Sequence, residues 1–355
     1  MSLSWHERRV FVTGDTGFVG GWLTQALLSV GARVDGYSLT DPAAMSVAGA
    51  LGARQSYVPR RADIRDLPSL RRALEASDPE VIFHLAAQPL VRRAFRSPLE
   101  TYETNALGTA NLLEAARDCG ALRAIVLFTT DKVYRNAERG GAFHERCELG
   151  GDEPYAASKV AAELAIGSWR SRYFAERAIG VASVRAGNLI GGGDWAADRI
   201  VPDAIRAFAT GRMLDLRRPD AVRPWQHVLE VVEGAMTLAE ALLEDPVRYA
   251  GAWNFGPPRS DCITVESLVG QVAAYWGPDA RHRSHRTDAI PEAGLLRLDS
   301  AKAARQLGWR TRWTIEETLQ RSVSWYRAVL SGADPADLAA MDRGAHRVDM
   351  LARAA

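Results

Sequence analysis

Lysine is scarce in this chain. Of 44 basic residues among 355, only Lys132, Lys159 and Lys302 are lysines. Arginine cannot release its proton, and its planar head is bulky. A retained lysine therefore marks a place where guanidinium would fail, and two of the three fall in motifs treated below; Lys302 falls in none and reads as chance survival. Cysteine is as rare. Cys119, Cys147 and Cys262 are odd in number and lack metal spacing. They read as reduced thiols, which excludes a disulfide framework and gives no reason to expect a metal. No apolar run reaches the roughly 18 residues that a membrane span needs. Met1 to Arg9 lacks the apolar core of a signal peptide, so a cytoplasmic location is expected. A net charge of +1 supplies no field for nucleic acid or an anionic membrane, and neither is expected as a partner.

What is present is a globular composition, 47% hydrophobic and 25% charged. Arg9 to Thr13 reads as a buried strand. Gly14-Asp-Thr-Gly17-Phe-Val-Gly20 follows at once, then a helical pattern from Trp22 to Val30. In that context Gly14 suits a tight turn, Gly17 the approach of a pyrophosphate and Gly20 helix–strand packing, which points to a dinucleotide. Arg33 to Leu39 reads as the second strand. An acid that holds an adenosine ribose belongs near its end, but the place falls at Ser38, with Asp35 too early and Asp41 late. The strand therefore leaves NAD and NADP both open. Gln55 to Arg60 is a third strand. Asp63 after it could accept from an adenine amino group or cap the next helix. Val81 to Ala87 is a fourth strand, with His84 expected in the core and small residues at its end. Pro98 to Ala116 predicts one long helix with Asn105 facing inward. Ala124 to Phe128 is a fifth strand, ending in Thr129-Thr130-Asp131-Lys132, and Gly180 to Arg185 a sixth. Polar residues just past the C-terminal edge of parallel strands are where open α/β sheets place their chemistry.

Glu153-Pro154-Tyr155-Ala-Ala-Ser-Lys159 is the densest chemical stretch. Pro154 suits the first turn of a helix. Tyr155 and Lys159 then share one face, four residues apart. A phenol of pKa near 10 is a poor base at neutral pH, and a cation beside it should bring that value down. After Gly187 the alternation breaks. Gly191 to Trp195 reads as a flexible loop, with Arg199, Arg217, Arg218 and Arg223 available for a diphosphate. Ala252 to Phe255 is a short strand that could rejoin the sheet, and the tail after Asp334 is polar and at best helical. The pattern predicts an α/β, Rossmann-like doubly wound parallel sheet with a smaller, mixed C-terminal substrate-binding domain. The expected division is residues 1–188 with 223–256 for the first, and 189–222 with 257–355 for the second.

The glycine turn, Thr130, Tyr155-x-x-x-Lys159 and Asn105 together resemble the extended short-chain dehydrogenase/reductase family, over nearly the whole chain. Thr129-Thr-Asp-Lys132, Leu149 to Tyr155, Arg185 to Trp195, Arg223 to Val228 and Trp253-Asn-Phe-Gly256 are similar to its nucleotide-sugar 4,6-dehydratases. The resemblance implies CDP-glucose as substrate and NAD as cofactor. NAD would lie against Gly14, Thr16, Gly17, Phe18, Val19, Ser38, Asp63, Ile64, Leu85, Ala86, Ala87, Asn105, Thr129, Tyr155 and Lys159. The sugar nucleotide would lie against Gln88, Asn188, Asp194, Trp195, Arg199 and Arg223. Catalysis would fall to Thr130, Asp131, Lys132, Tyr155 and Lys159. Tyr155 would deprotonate the carbon 4 hydroxyl, a base would take the carbon 5 proton, and Asp131 would protonate the departing carbon 6 hydroxyl. Related dTDP-glucose and GDP-mannose dehydratases carry Glu at the place of Lys132. The glycine turn of these dehydratases reads His-Thr-Gly-Phe-Lys-Gly, whereas Asp15 and Val19 stand here. An acid gained and a lysine lost predict weaker attraction for cofactor phosphates. The family pairs helices 98–116 and 154–176 in a homodimer or homotetramer. A nucleotide-sugar 4-epimerase, a dehydratase of another sugar nucleotide, and a non-enzymatic NAD-sensing protein are the rival readings.

Overall fold

The computed structural model describes residues 5–52, 56–136, 141–285 and 296–354. Seven parallel strands form the central sheet: β1 (Arg9–Thr13), β2 (Arg33–Ser38), β3 (Tyr57–Arg61), β4 (Val81–His84), β5 (Ala124–Phe128), β6 (Gly180–Arg185) and β7 (Gly251–Asn254). Their spatial order is β7-β6-β5-β4-β1-β2-β3. The order reverses between β1 and β4, and that is where an open sheet leaves a crevice. Alternate residues feed two cores. Val10, Val12, Phe83 and Val126 point to one face, whereas Phe11, Ile82, Ile125 and Leu127 point to the other. Both faces are covered, which is why these strands read as continuous apolar runs.

Several boundaries differ from the sequence reading. The first helix is Phe18–Ser29 and begins directly on Gly17. β3 starts at Tyr57, and Gln55 lies outside the described residues. β4 ends at His84; the Leu85 N–H still reaches the Thr13 carbonyl at 3.0 Å, and the Ala86 N–H then turns to Thr13 Oγ1 at 3.2 Å. The long helix is not uniform. Pro98–Tyr102 and Gly108–Ala116 are α-helical, and Glu103–Leu107 between them is a π turn that carries Asn105. Single π turns of this kind are frequent at functional sites.

The smaller part is built from two-stranded pairs: Leu189–Ile190 with Gln226–His227, Val222–Pro224 with Cys262–Thr264, and Leu214–Leu216 with His282–Ser284. Val222–Pro224 thus pairs with the smaller part, whereas the sequence pattern predicts residues 223 and 224 in the sheet domain. The tail is more than a polar helix. Pro335–Ala354 packs on Phe18–Ser29. Its Arg343 binds Glu233 at 2.8 Å and also Ser29, so it belongs to the sheet domain's flank. Gly191 to Trp195 is not a flexible loop. A Cβ on Gly192 would sit 1.9 Å from the Trp325 ring, and the Gly192 carbonyl accepts from Trp22 Nε1 at 2.9 Å. Lys302, read as accidental, lies 3.8 Å over the Trp253 ring and donates to the Ala252 carbonyl at 2.6 Å.

Candidate active site

The crevice at the sheet reversal opens into a cavity of about 450 Å³ between the two parts. Phe18, Val19, Leu85, Ala87, Thr129, Thr130, Asp131, Lys132, Tyr155, Lys159, Asn188, Asp194, Arg199 and Arg223 all line it. Arg217 and Arg218 also line it, as do Arg92 and Asp198, which the sequence did not suggest. One Asp198 oxygen lies 3.4 Å from Arg92 and 3.5 Å from Arg217, so a single carboxylate joins opposite walls.

The candidate reacting side chains are placed by local rules. Glu153 caps the Pro154–Trp169 helix, its carboxylate accepting from Tyr155 N at 2.7 Å and Ala156 N at 2.9 Å. That cap and Pro154 set Tyr155 at the cavity wall. Thr130 caps the short turn Asp131–Val133, with Oγ1 accepting from Lys132 N at 3.3 Å and donating to Asp131 Oδ1 at 3.1 Å. Asn188 Nδ2 donates to the other Asp131 oxygen at 3.3 Å. Gly187 makes room for that carboxylate, since a Cβ there would lie 2.2 Å from it.

Burial holds the Asp131 carboxyl above the usual carboxylate range, against opposing pulls from Lys132, the Thr130 hydroxyl and Arg223. A carboxyl that keeps its proton can deliver it to a leaving group. Burial also pushes the Tyr155 phenol up to about 12, and the Thr130 hydroxyl is the strongest influence pulling it back. The net shift of the phenol is thus upward, where the sequence predicts a fall. Lys159 Nζ is turned to the Phe128 carbonyl at 3.2 Å, and its own value is pushed down to about 8 by burial. His84 is a core histidine between Thr13 Oγ1 at 2.7 Å and Thr109 Oγ1 at 3.0 Å.

The glycine turn offers a place for a pyrophosphate. Gly14 adopts φ +77°, and a Cβ on it would lie 2.7 Å from Ala86 N. The Phe18–Ser29 helix has no side-chain cap and no acid in its first turn, so its leading N–H groups stay available for an anion. Asp15, which the sequence places next to the phosphates, has its carboxylate committed elsewhere. Its carboxylate is fully buried beneath β2, accepting from Ser38 Oγ at 2.6 Å and Tyr57 OH at 2.5 Å, with Arg61 at 3.9 Å.

Other residues named from sequence stand away from the cavity. Ser38 Oγ is occupied by Asp15 and by Thr16 N. Asp63 is held by Arg65, and Asp66 caps the next helix instead. Ile64 packs in the core against Gly108. Asn105 faces inward, but its amide is spent on Gln88 N at 2.8 Å, Gln88 O at 3.1 Å and Ser158 Oγ at 2.9 Å. Its work is to hold the loop after β4. Gln88 is turned into the protein, its side-chain nitrogen bound to Thr101 at 2.9 Å. Trp195 packs edge-on against Tyr326 and donates to the Met45 carbonyl at 2.7 Å.

Comparison with known proteins supplies the remaining test. The chain matches a family model described as GDP-mannose 4,6 dehydratase over residues 11–322. It is 42% identical to a CDP-glucose 4,6-dehydratase of Salmonella typhimurium, covering 93% of each chain. It is 24% identical to dTDP-glucose 4,6-dehydratase 1 of Escherichia coli, over 90% of this chain and 92% of that one. Among solved structures, DesIV, a dTDP-glucose 4,6-dehydratase from Streptomyces venezuelae with NAD and TYD bound, aligns with a TM-score of 0.79 and 25% identity, over 92% of this chain and 99% of that one. The matched length and the shared architecture make the chain a member of the GDP-mannose 4,6 dehydratase family.

Proposed function

We propose that this chain removes water from CDP-glucose to give CDP-4-keto-6-deoxyglucose, with NAD as a recycled cofactor. One observation carries the reading: a buried Asp131, whose burial favours the neutral carboxyl, and the adjacent Lys132 share a cavity with Tyr155. A 4-epimerase needs a base for the sugar hydroxyl but no acid for a leaving hydroxyl. NAD, when bound, takes a hydride from carbon 4 and returns it to carbon 6. The Phe18 helix terminus and Val19 would hold its phosphates, and Leu85, Ala87, Thr129 and Lys159 its nicotinamide half. Tyr155, aided by Thr130 and by the charge of Lys159, takes the carbon 4 hydroxyl proton. The ketone acidifies carbon 5, whose proton goes to Lys132. Asp131 protonates the departing carbon 6 hydroxyl. Arg199, Arg217, Arg218 and Arg223 face the diphosphate. The similarity to the Salmonella CDP-glucose enzyme supports the choice of base.

The test is a panel of CDP-, dTDP-, GDP- and UDP-glucose or mannose assayed for a 4-keto-6-deoxy product. CDP-glucose should turn over fastest with NAD substoichiometric. Product at carbon 4 of inverted configuration would assign an epimerase, and NADH accumulating in step with product would rule out the internal cycle.

The same reading includes a homo-oligomer. Leu99 is 72%, Leu107 52% and Leu164 66% exposed, all on the helix pair that the family uses for dimerisation. Apolar surface grouped in this way suits a second copy of the chain. Leu164→Glu is expected to give monomers in sedimentation, whereas wild type sediments as a dimer or larger. A wild-type monomer would remove this part of the proposal.

A further inference from the structure

Glu163 lies one helical step beyond Lys159. Tyr155, Lys159 and Glu163 therefore descend one face of the Pro154–Trp169 helix at intervals of four residues. The Glu163 carboxylate is buried and accepts from four donors: Thr129 Oγ1 at 2.6 Å, Ser183 Oγ at 3.0 Å, and Arg185 Nε at 2.9 Å and Nη2 at 2.8 Å. Arg185 in turn donates to the Tyr134 hydroxyl at 3.0 Å, which donates to Asn254 Oδ1 at 2.6 Å. The network runs from the helix through the end of β5 and β6 to β7. Neither Glu163 nor Arg185 is among the residues that line the cavity. A buried ion pair is by itself weak evidence of stabilisation, so its position beneath the lysine calls for another account.

We propose that Glu163 is a positioning residue for the first proton transfer. Its buried carboxylate keeps the Lys159 ammonium charged on the helix face it shares with Tyr155, and its bond to Thr129 fixes the strand end that carries Thr130. This rests on reading Tyr155 and Lys159 as the proton-abstracting pair. Burial pushes Lys159 down to about 8, and Glu163 is the group that acts the other way. The charged and titratable groups around the pair come from every packed element. His84 on β4 is held neutral, pushed down to about 3 by burial and by Lys159. Arg185 on β6 is a cation bound to Glu163, and Arg170 on the continuing helix is also attracted to it. Asp131 and Lys132 follow β5, and burial favours the neutral form of Asp131. Glu163, whose own carboxyl is held below the usual range by Arg185, Thr129 and Ser183 despite burial, is thus the acid able to keep Lys159 charged.

The sign is definite. The Lys159 charge is present below its folded pKa and is lost as pH rises through about 8. Removing the Glu163 charge should make that loss occur at lower pH. The experiment is the pH–rate profile of CDP-glucose turnover for wild type, Glu163→Gln and Glu163→Asp, with thermal melts to confirm folding. The alkaline limb is expected to move acid-ward by about one pH unit in Glu163→Gln and to stay in place in Glu163→Asp. A Glu163→Gln limb that coincides with wild type, whatever the drop in overall rate, would mean a purely structural pair and overturn the proposal. If Glu163→Gln does not fold, Glu163→Asp decides. A limb kept at the wild-type position supports the role, and an acid-ward shift with the charge intact overturns it. An inactive wild type would overturn the functional reading together with this one; an active wild type with an unmoved Glu163→Gln limb overturns this one alone.

Discussion

Tyr155→Phe is expected to lower turnover of CDP-glucose by at least about 10²-fold, the scale of a lost general base. Binding of the sugar nucleotide should barely change, because the arginines proposed to face the diphosphate are untouched. The structure sharpens the reason. Burial pushes the Tyr155 phenol up to about 12, so the phenolate is a rare species at neutral pH. Tyr155 can act only if its proton leaves as the substrate's arrives, and the Thr130 hydroxyl is the neighbour that most favours the charged form. The measurement is kcat and KM for product formation alongside a binding titration. A large fall in kcat with KM and Kd little changed places the effect in the transition state. Near-normal turnover would remove Tyr155 from the first step.

Lys132→Ala should be equally damaging but at a later step. Carbon 4 oxidation does not need Lys132, so the variant should stall with reduced nicotinamide absorbance and no 4-keto-6-deoxy product. The short turn is held by Thr130, whose hydroxyl binds Lys132 N, so truncating the side chain leaves the backbone anchor intact. Burial favours the neutral form of Asp131, whose oxygens accept from Thr130 and Asn188. That arrangement suits an acid and leaves Lys132 as the base for carbon 5. Lys132→Arg separates the two roles open to a cation here. Arginine keeps the charge and cannot give up its proton. As a replacement for a base it should abolish elimination, at a cost of at least about 10²-fold. Partial activity in Lys132→Arg would instead assign Lys132 to stabilising the developing enolate. Normal turnover in Lys132→Ala, with solvent deuterium entering carbon 5, would exclude both.

Much of this was legible from residue order. Strand, glycine turn and helix recur with short-range periodicity, so the parallel sheet follows from local patterning and from the right-handed crossovers that such units make. Tyr155 and Lys159 are readable because one helix sets their separation, and Thr130 to Lys132 because they abut a strand end. Glu163 was within reach too, by extending the same interval of four residues once more.

The rest was decided by distance across the chain. Asp15 reads as a phosphate neighbour in sequence, yet Ser38 and Tyr57 supply donors from β2 and β3 and draw its carboxylate beneath the sheet. Gln88 and Asn105 read as ligand contacts in sequence, yet each satisfies the other's segment across the loop after β4. Gly191 to Gly193 reads as a mobile loop until Trp325, far along the chain, packs on it. Buried polar groups must find partners, and residue order does not say which. Strand and helix periodicity therefore determined the fold class, and helix spacing and the strand end set where the candidate side chains stand. Tertiary structure alone decided which polar groups remain free to meet a substrate, because that depends on donors brought together from segments remote in sequence.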